Sequence, residues 1–308
     1  MTHFLGIEEL SASDLLAMLA ESAACKAALE ARSVPQRHGL IVNLFFEAST
    51  RTRVSFEVAA RRLGLEVINW TTTGSSQEKG ETLLDTAQNV AAMGPCAIVV
   101  RHPAAGAPWL LAQRLRCPIV NAGDGAHEHP SQALLDALTL QERLGSLHGK
   151  VVAIIGDITH SRVARSNVFA LSKLGVRLRL CGPSSFLPSG IESLVPGGAI
   201  TVHRVLDEAL CGVDAVMALR IQRERLEGVG VPGLREYQRR FGLTAQKLAR
   251  LAPGAVVLHP GPVNRGVEMT SEVADGTQSA VLAQVRNGVA VRMAILNRVL
   301  GQVSGGAP

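Results

Sequence analysis

The sequence predicts two α/β domains, each a mostly parallel sheet flanked by helices, with interdomain helices linking one to the other. Three observations carry that expectation. The chain has 308 residues, enough for two domains of ordinary size. Short apolar runs alternate with amphipathic stretches along nearly all of it, as strand–helix–strand units do in parallel sheets. A strong buried-strand signal, Val151-Val-Ala-Ile-Ile-Gly-Asp157, then restarts the series after a helix in mid-chain. The expected domains are 1–130, completed by a C-terminal helix spanning roughly 284–308, and 131–283.

The elements follow in order. Ser13 and Asp14 precede a helical pattern that runs to about residue 31. Residues 39–46 form a short apolar run followed by turn chemistry, which predicts a buried strand. Phe56, Ala59, Ala60 and Leu63 then recur at i, i+3, i+4 and i+7, a helix that Gly64 ends. Residues 65–70 predict a strand, 82–93 a helix and 97–100 a strand with Arg101 at its C-terminal end; 118–121 repeat that shape. A helix over 131–144 leads into the second series, with strands at 151–157, 176–181, 215–219 and 255–259 and a helix at roughly 162–174. Val281, Val285, Val289, Met293, Leu296 and Leu300 lie at the spacing of a long C-terminal helix.

Composition narrows the functional classes. With 47% hydrophobic and 19% charged residues, the chain buries a real core and is not a disordered protein. Its net charge of +5 suits nucleic acid, a membrane surface or small acidic substrates. No basic arm is present, and seven Phe, two Trp and one Tyr offer no stacking platform for single strands. No apolar stretch is long enough to span a bilayer, and the acidic N-terminal segment has no signal pattern. Small anions fit best, with neither nucleic acid nor membrane as partner. Cys25, Cys96, Cys117, Cys181 and Cys211 lie far apart with no CxxC pair, which predicts reduced, mostly buried thiols in a cytoplasmic protein.

Several clusters carry chemistry. Ser49-Thr-Arg-Thr52 stands where a strand hands over to a helix. The free amides and positive dipole end of a helix N-terminus bind phosphate, three hydroxyls add donors and Arg51 adds a bidentate cation. A plain helix cap with a solvated Arg is the competing reading. Ser75 and Lys79 sit in a Gly-containing polar stretch that in isolation reads as a surface turn rather than a binding loop. Arg101, at a strand end, lies where ligands gather in open α/β sheets. His127 and His129 suggest a metal site, but no further Cys or His completes a tetrahedral set, so no metal is expected. Gly156-Asp-Ile-Thr-His-Ser-Arg162 follows a strand yet lacks the glycines of a dinucleotide-binding turn.

These segments resemble, in order, the motifs of the aspartate/ornithine carbamoyltransferase family. FFEASTRTRVSFE is similar to its carbamoyl-phosphate signature. Matches follow at Ser75-Ser-Gln-Glu-Lys-Gly-Glu81, Arg101-His-Pro103, His129-Pro-Ser-Gln132, Arg220-Ile-Gln222 and His259-Pro-Gly-Pro-Val-Asn-Arg-Gly266. The resemblance covers nearly the whole chain and implies a carbamoyl-phosphate-binding first domain and an acceptor-binding second one. It implies that Ser49, Thr50, Arg51, Thr52, Ser75, Arg101, His129, Gln132, Gly261 and Pro262 bind carbamoyl phosphate. Lys79, Arg162, Arg220 and Gln222 would bind the amino acid. Among these, Arg51, Thr52, Lys79, Arg101 and His129 are the expected catalytic set, with His129 a donor to the carbonyl oxygen.

At His259-Pro-Gly-Pro262 the ornithine branch carries a cysteine-containing HCLP, so the stretch here, with Arg220-Ile-Gln222, implies an acidic acceptor. The implied reaction is carbamoyl transfer from carbamoyl phosphate to aspartate, by ordered binding and domain closure, with no protein nucleophile, metal or organic cofactor. The resemblance further implies a homotrimer with shared active sites, because the Ser75–Lys79 loop would come from a neighbouring subunit. Regulatory chains or a dihydroorotase-like subunit are possible further partners. Another acceptor such as ornithine, or an inactive scaffold homologue, are the alternatives.

Overall fold

The computed structural model describes residues 3–71, 81–221 and 233–301, and in it the apolar runs become two parallel sheets. The chain divides into two units: Met1–Leu135 with Arg286–Pro308, and Asp136–Val285. In the first unit, α1 (Ala12–Glu30) precedes β1 (Leu40–Phe45), α2 (Thr50–Arg62), β2 (Glu66–Thr71), α3 (Leu83–Ala92), β3 (Ala97–His102), α4 (Ala107–Arg114) and β4 (Ile119–Asp124). Helix α5 (Pro130–Leu144) leads out of it. The second unit holds β5 (Val151–Ile155), α6 (Arg162–Lys173), β6 (Arg177–Cys181), β7 (Ile200–His203), α7 (Leu206–Leu210) and β8 (Ala215–Ala218). Then come α8 (Leu234–Phe241), α9 (Ala245–Leu251), β9 (Val256–Leu258) and α10 (Ser271–Asp275), and α11 (Val281–Val299) returns to the first unit.

The first sheet has the order β2-β1-β3-β4 and the second β7-β6-β5-β8-β9, with every pairing between these strands parallel. Such sheets are covered on both faces, and their strands read as nearly continuous apolar runs. β5 is buried throughout, and β3 is buried from Ala97 to Arg101. In the first sheet Val42, Leu44, Ile98 and Val100, at alternate positions, point to one core with Ala87, Val90 and Leu111 of the flanking helices. In the second, Ala153, Ile155, Val216 and Val257 pack with Phe186, Tyr237 and Phe241.

Local chemistry sets the element ends, and several differ from the sequence expectation. α1 starts earlier than Ser13, because Ser11 and Asp14 form a reciprocal capping box that fixes Ser11 as the cap. Arg101 lies at the C-terminal end of β3, as expected, and the strand runs on past Val100 because pairing with β1 continues through Phe45 opposite Arg101. Strand β7, an edge strand, and the short helices α4, α7, α8, α9 and α10 carry too little periodicity to stand out in the sequence. Gly156 ends β5 at φ +134°, where a Cβ would come within 2.9 Å of the Leu219 Cβ beyond β8. The thiols differ from expectation too: all five are free, but Cys181 alone is buried, Cys25, Cys96 and Cys117 are half-buried and Cys211 is exposed. No helix among the described residues is long and apolar enough to cross a membrane.

Ile154, in the central strand of the second sheet and fully buried, tests that arrangement. Ile154→Ala is expected to cost about 2–5 kcal/mol of stability in urea unfolding, and a loss below about 1 kcal/mol would contradict its central place.

Candidate active site

In each sheet the chain runs outward to one side and then returns to add strands on the other. The first sheet reverses between β1 and β3, and the second between β5 and β8. At such a reversal the loops leaving the two strands diverge, and a crevice opens at their C-terminal ends. Every described site candidate of the first unit, except those at the start of α5, leaves β1 or lies at the end of β3.

β1 ends at Phe45, directly opposite Arg101, and the Phe46 N–H donates to the Arg101 carbonyl at 2.8 Å. Arg101 is therefore held at the reversal by backbone pairing. Its guanidinium, almost buried, donates to the Ala122 carbonyl and the Glu47 carboxylate, each at 3.3 Å. Glu47 was not among the sequence candidates; it lies four residues before Arg51 and nothing in its neighbours announces the pairing. Four residues after β1, Ser49 is the N-cap of α2, but its side chain makes no capping hydrogen bond, and no acidic residue stands in the first turn. By contrast, the caps of α1 and α3, Ser11 and Thr82, accept from the amides of Asp14 and Asp85. The start of α2 thus lacks the side-chain cap and first-turn acid that α1 and α3 have, a setting that suits an anion. Thr50 and Arg51 are exposed there, Ser49 is half-buried and Thr52 is buried.

Thr52 Oγ1 meets His129 Nε2 at 3.3 Å, which joins the first turn of α2 to the start of α5. His129 sits before Pro130, the first residue of α5, and its carbonyl accepts the Gln132 amide at 2.9 Å. His129 and Gln132 are buried, and between them the Ser131 hydroxyl is buried without a hydrogen-bond partner among the described residues. The loop before them is organised by Asp124. Its carboxylate accepts from Asn121 Nδ2 at 2.9 Å, Gly106 N–H at 2.7 Å and Glu128 N–H at 3.2 Å, and it contacts His127 Nδ1 at 3.1 Å. Burial pushes the Asp124 carboxyl up, but the hydrogen bonds from His127, Asn121 and Gly106 outweigh it and hold the group below the ordinary carboxylate range.

His127 and His129 are thus committed to different partners. Glu8, His127 and Glu128 do bring one ligand atom each within 4.8 Å of one another. Glu128, however, accepts the amides of Ile7 and Glu8, at 2.9 and 3.1 Å, and so anchors the N-terminal segment. That anchoring accounts for its burial.

In the second unit, Ile155 pairs with Ala218, and the candidates Arg162 and Arg220 lie on the segments that leave these two strands. Asp157, buried, accepts from the His160 amide at 3.1 Å and contacts His160 Nδ1 at 2.9 Å, closing the turn before α6. Ser161 caps α6 and Arg162, its first residue, is buried. Beyond β8, Arg220 is half-buried, and the next amide, Ile221, donates to Glu268 Oε1 at 2.8 Å. Glu268 also accepts from the Asn264 amide and side chain, at 2.8 and 2.7 Å. Burial raises the Glu268 carboxyl above its usual range, and these bonds offset only part of that. It therefore ties the Arg220 segment to the segment after His259. The His259 Nδ1 accepts the Gly261 amide at 2.8 Å and so shapes the turn that holds Gly261, half-buried, and Pro262, exposed. Ser75, Lys79 and Gln222 lie outside the described residues.

Two family models match the chain in succession. Residues 2–142 match the aspartate/ornithine carbamoyltransferase carbamoyl-P binding domain, and 148–299 the Asp/Orn binding domain of that family. The aspartate carbamoyltransferase catalytic subunit of Myxococcus xanthus is 55% identical over 296 residues, 96% of this chain and 98% of that protein. That of Anaeromyxobacter sp. strain K is 54% identical over 303 residues, 97% of this chain and 96% of its own. Among solved structures, the catalytic subunit of M. jannaschii aspartate transcarbamoylase superposes with a TM-score of 0.87 at 31% identity, covering 99% of this chain and 100% of that one. The Trypanosoma cruzi aspartate transcarbamoylase with N-(phosphonacetyl)-L-aspartic acid also gives 0.87, at 30% identity, covering 96% of this chain and 94% of that one.

Asp124 supplies a prediction with a definite sign. Asp124→Asn leaves buried donors mismatched and is expected to cost about 1–3 kcal/mol at neutral pH. Because the folded carboxyl titrates below its unfolded value of about 4, its contribution is present above that pH and fades as pH falls through the folded value. The gap between parent and variant in urea unfolding should therefore narrow from about pH 4 downward; a gap that widens on acidification would contradict the network.

Proposed function

The chain belongs to the aspartate/ornithine carbamoyltransferase family, and on that premise we propose that it transfers the carbamoyl group of carbamoyl phosphate to the amino group of L-aspartate, giving N-carbamoyl-L-aspartate and phosphate. The observation that carries the chemistry is the uncapped start of α2, with Arg101 fixed at the same sheet reversal and Thr52 against His129. Near-full-length identity of 54–55% to aspartate carbamoyltransferase catalytic subunits supports aspartate as the acceptor.

The residues take the roles that the family resemblance implies, each consistent with its chemistry. Amides of α2 with Ser49, Thr50, Arg51, Thr52 and Arg101 hold the phosphate group, aided by Ser75. As the resemblance implies, His129 donates to the carbonyl oxygen, Gln132 meets the amide end, and the carbonyls of Gly261 and Pro262 accept from the carbamoyl amino group. Arg162 and Arg220 bind the two carboxylates of aspartate, with Lys79 and Gln222 completing its contacts. The amine nitrogen then attacks the carbamoyl carbon, and negative charge gathers on the carbonyl oxygen, where the donors above stabilise it. As the carbon–oxygen bond to phosphate breaks, the departing phosphate takes the proton from the amine. Rate comes from holding the two reactants in place and from fixed positive charge.

We extend the proposal to a homotrimer with shared active sites, since the family's Ser75–Lys79 loop serves a neighbouring subunit. A cytoplasmic place in pyrimidine biosynthesis suits the reaction. Ornithine is the second acceptor to consider, and the His259-Pro-Gly-Pro262 stretch, where that branch carries a cysteine-containing HCLP, argues against it.

Product formation measured with aspartate, ornithine and N-acetylornithine side by side tests the acceptor. Turnover with aspartate alone is expected, and preference for either other amine would overturn the assignment. Arg51→Ala is expected to lower kcat/KM by roughly 100-fold or more, through loss of a charge-assisted phosphate contact. The melting temperature should hardly change, because Arg51 is exposed. Near-parent turnover in that variant would contradict the phosphate assignment.

A further inference from the structure

A chain of hydrogen bonds in the second unit runs from a buried carboxylate to the turn that holds Gly261 and Pro262. Asp136, on α5 one helical turn after Gln132, is fully buried. Its Oδ1 accepts from Gln284 Nε2 at 2.6 Å, and its Oδ2 accepts from Asn167 Nδ2 at 2.8 Å. Gln284, on α11 and 3% exposed, accepts the His259 backbone amide on its Oε1 at 3.0 Å. His259, 2% exposed, then accepts the Gly261 amide on Nδ1 at 2.8 Å. Four elements, α5, α6, α11 and the segment after β9, thus meet in one polar relay inside an apolar core.

The relay has a direction. A glutamine amide can present either its oxygen or its nitrogen to a neighbour, and only the oxygen can accept from the His259 amide. Asp136 accepts at both oxygens, from Gln284 and from Asn167, so it compels Gln284 to turn its nitrogen inward and its oxygen toward His259. Without that constraint, Gln284 has two orientations of similar shape, and one of them sets a donor against a donor. The turn at Gly261 inherits whichever order the relay enforces.

We infer that Asp136 and Gln284 are positioning residues, which hold the His259–Pro262 turn so that its carbonyls accept from the amino group of the carbamoyl moiety. The inference rests on the proposed function. It separates two parts of one ligand: the phosphate end, held by Ser49–Thr52 and Arg101, does not depend on the relay, whereas the carbamoyl end does.

Calorimetric titration of the full chain with carbamoyl phosphate and, separately, inorganic phosphate reads that separation. Asp136→Asn leaves one acceptor oxygen where there were two, so the side chain can no longer accept from both Gln284 and Asn167. Gln284→Glu keeps an acceptor for His259 but sets a carboxylate against Asp136. Each single variant is expected to raise the Kd for carbamoyl phosphate about tenfold, as a mismatched buried polar pair does, while the Kd for phosphate stays within about twofold. When Asp136→Asn and Gln284→Glu are combined, the new amide nitrogen donates to the new carboxylate and the new amide oxygen still accepts from Asn167. The relay is then rebuilt with its polarity shifted. The Kd of this double variant for carbamoyl phosphate should return to within about threefold of the parent, the coupling a double-mutant cycle detects. Single variants that bind carbamoyl phosphate as the parent does, or that lose both ligands equally, overturn the inference. So does a double variant that binds no better than either single one. If Asp136→Asn does not fold, Gln284→Met, which keeps volume and removes both polar ends, carries the same expectation for the two ligands. Parent turnover is measured first: its absence would overturn the proposed function itself, a failure distinct from a change confined to the variants.

Discussion

Parallel pairing of β1 with β3 sets Arg101 opposite Phe45, and much of the candidate site depends on that register. The chain leaves β1 and within four residues reaches Ser49, the N-cap of α2, whose side chain makes no capping hydrogen bond. A one-residue slip in β3 would turn Arg101 to the opposite face of the sheet and replace it with a neighbour of different chemistry. The register is held because Ile98 and Val100 share a buried face with Val42 and Leu44, and exchanging that face for polar contacts would cost apolar burial along the whole pair. Core packing thus fixes the position of a charge.

The second sheet repeats the device at β5 and β8, with Arg162 and Arg220 on the segments that follow. What keeps those segments in shape is a set of buried acceptors. Asp157 closes the turn before α6, Glu268 joins the Arg220 segment to Asn264, and Asp136 orients Gln284. In the first unit Asp124 plays the corresponding part for the loop before His129. Backbone amides in irregular loops need acceptors, and a carboxylate can satisfy several at once without competing donors of its own. Their low exposure means that each such bond is worth more, and each lost partner costs more, than at the surface.

The strands and the residues that leave them were readable in the sequence because burial on both faces writes itself as an apolar run, as in Ala97-Ile-Val-Val100 and Val151-Val-Ala-Ile-Ile155. Ser49 to Thr52, Arg101 and Arg162 stood out because each follows such a run. The supporting carboxylates did not stand out. Glu47, Asp136 and Glu268 are single acidic residues with partners 54, 148 and 47 positions away, and local spacing carries no trace of such pairings. The early start of α1 was legible in principle from Ser11 and Asp14, three residues apart, but Ser13 offered a competing cap. The edge strand β7, four residues long and only partly buried, is too short for periodicity to identify.

Under the proposed function, two acidic metabolites would rest on fixed positive charge and on the start of α2. A crystal structure of the protein with N-(phosphonacetyl)-L-aspartic acid tests this most directly, because one molecule carries both anionic ends. The phosphonate should rest on the amides at the start of α2 with Arg101, and the two carboxylates on Arg162 and Arg220. A phosphonate bound elsewhere, or no bound analogue at saturating concentration, would contradict it.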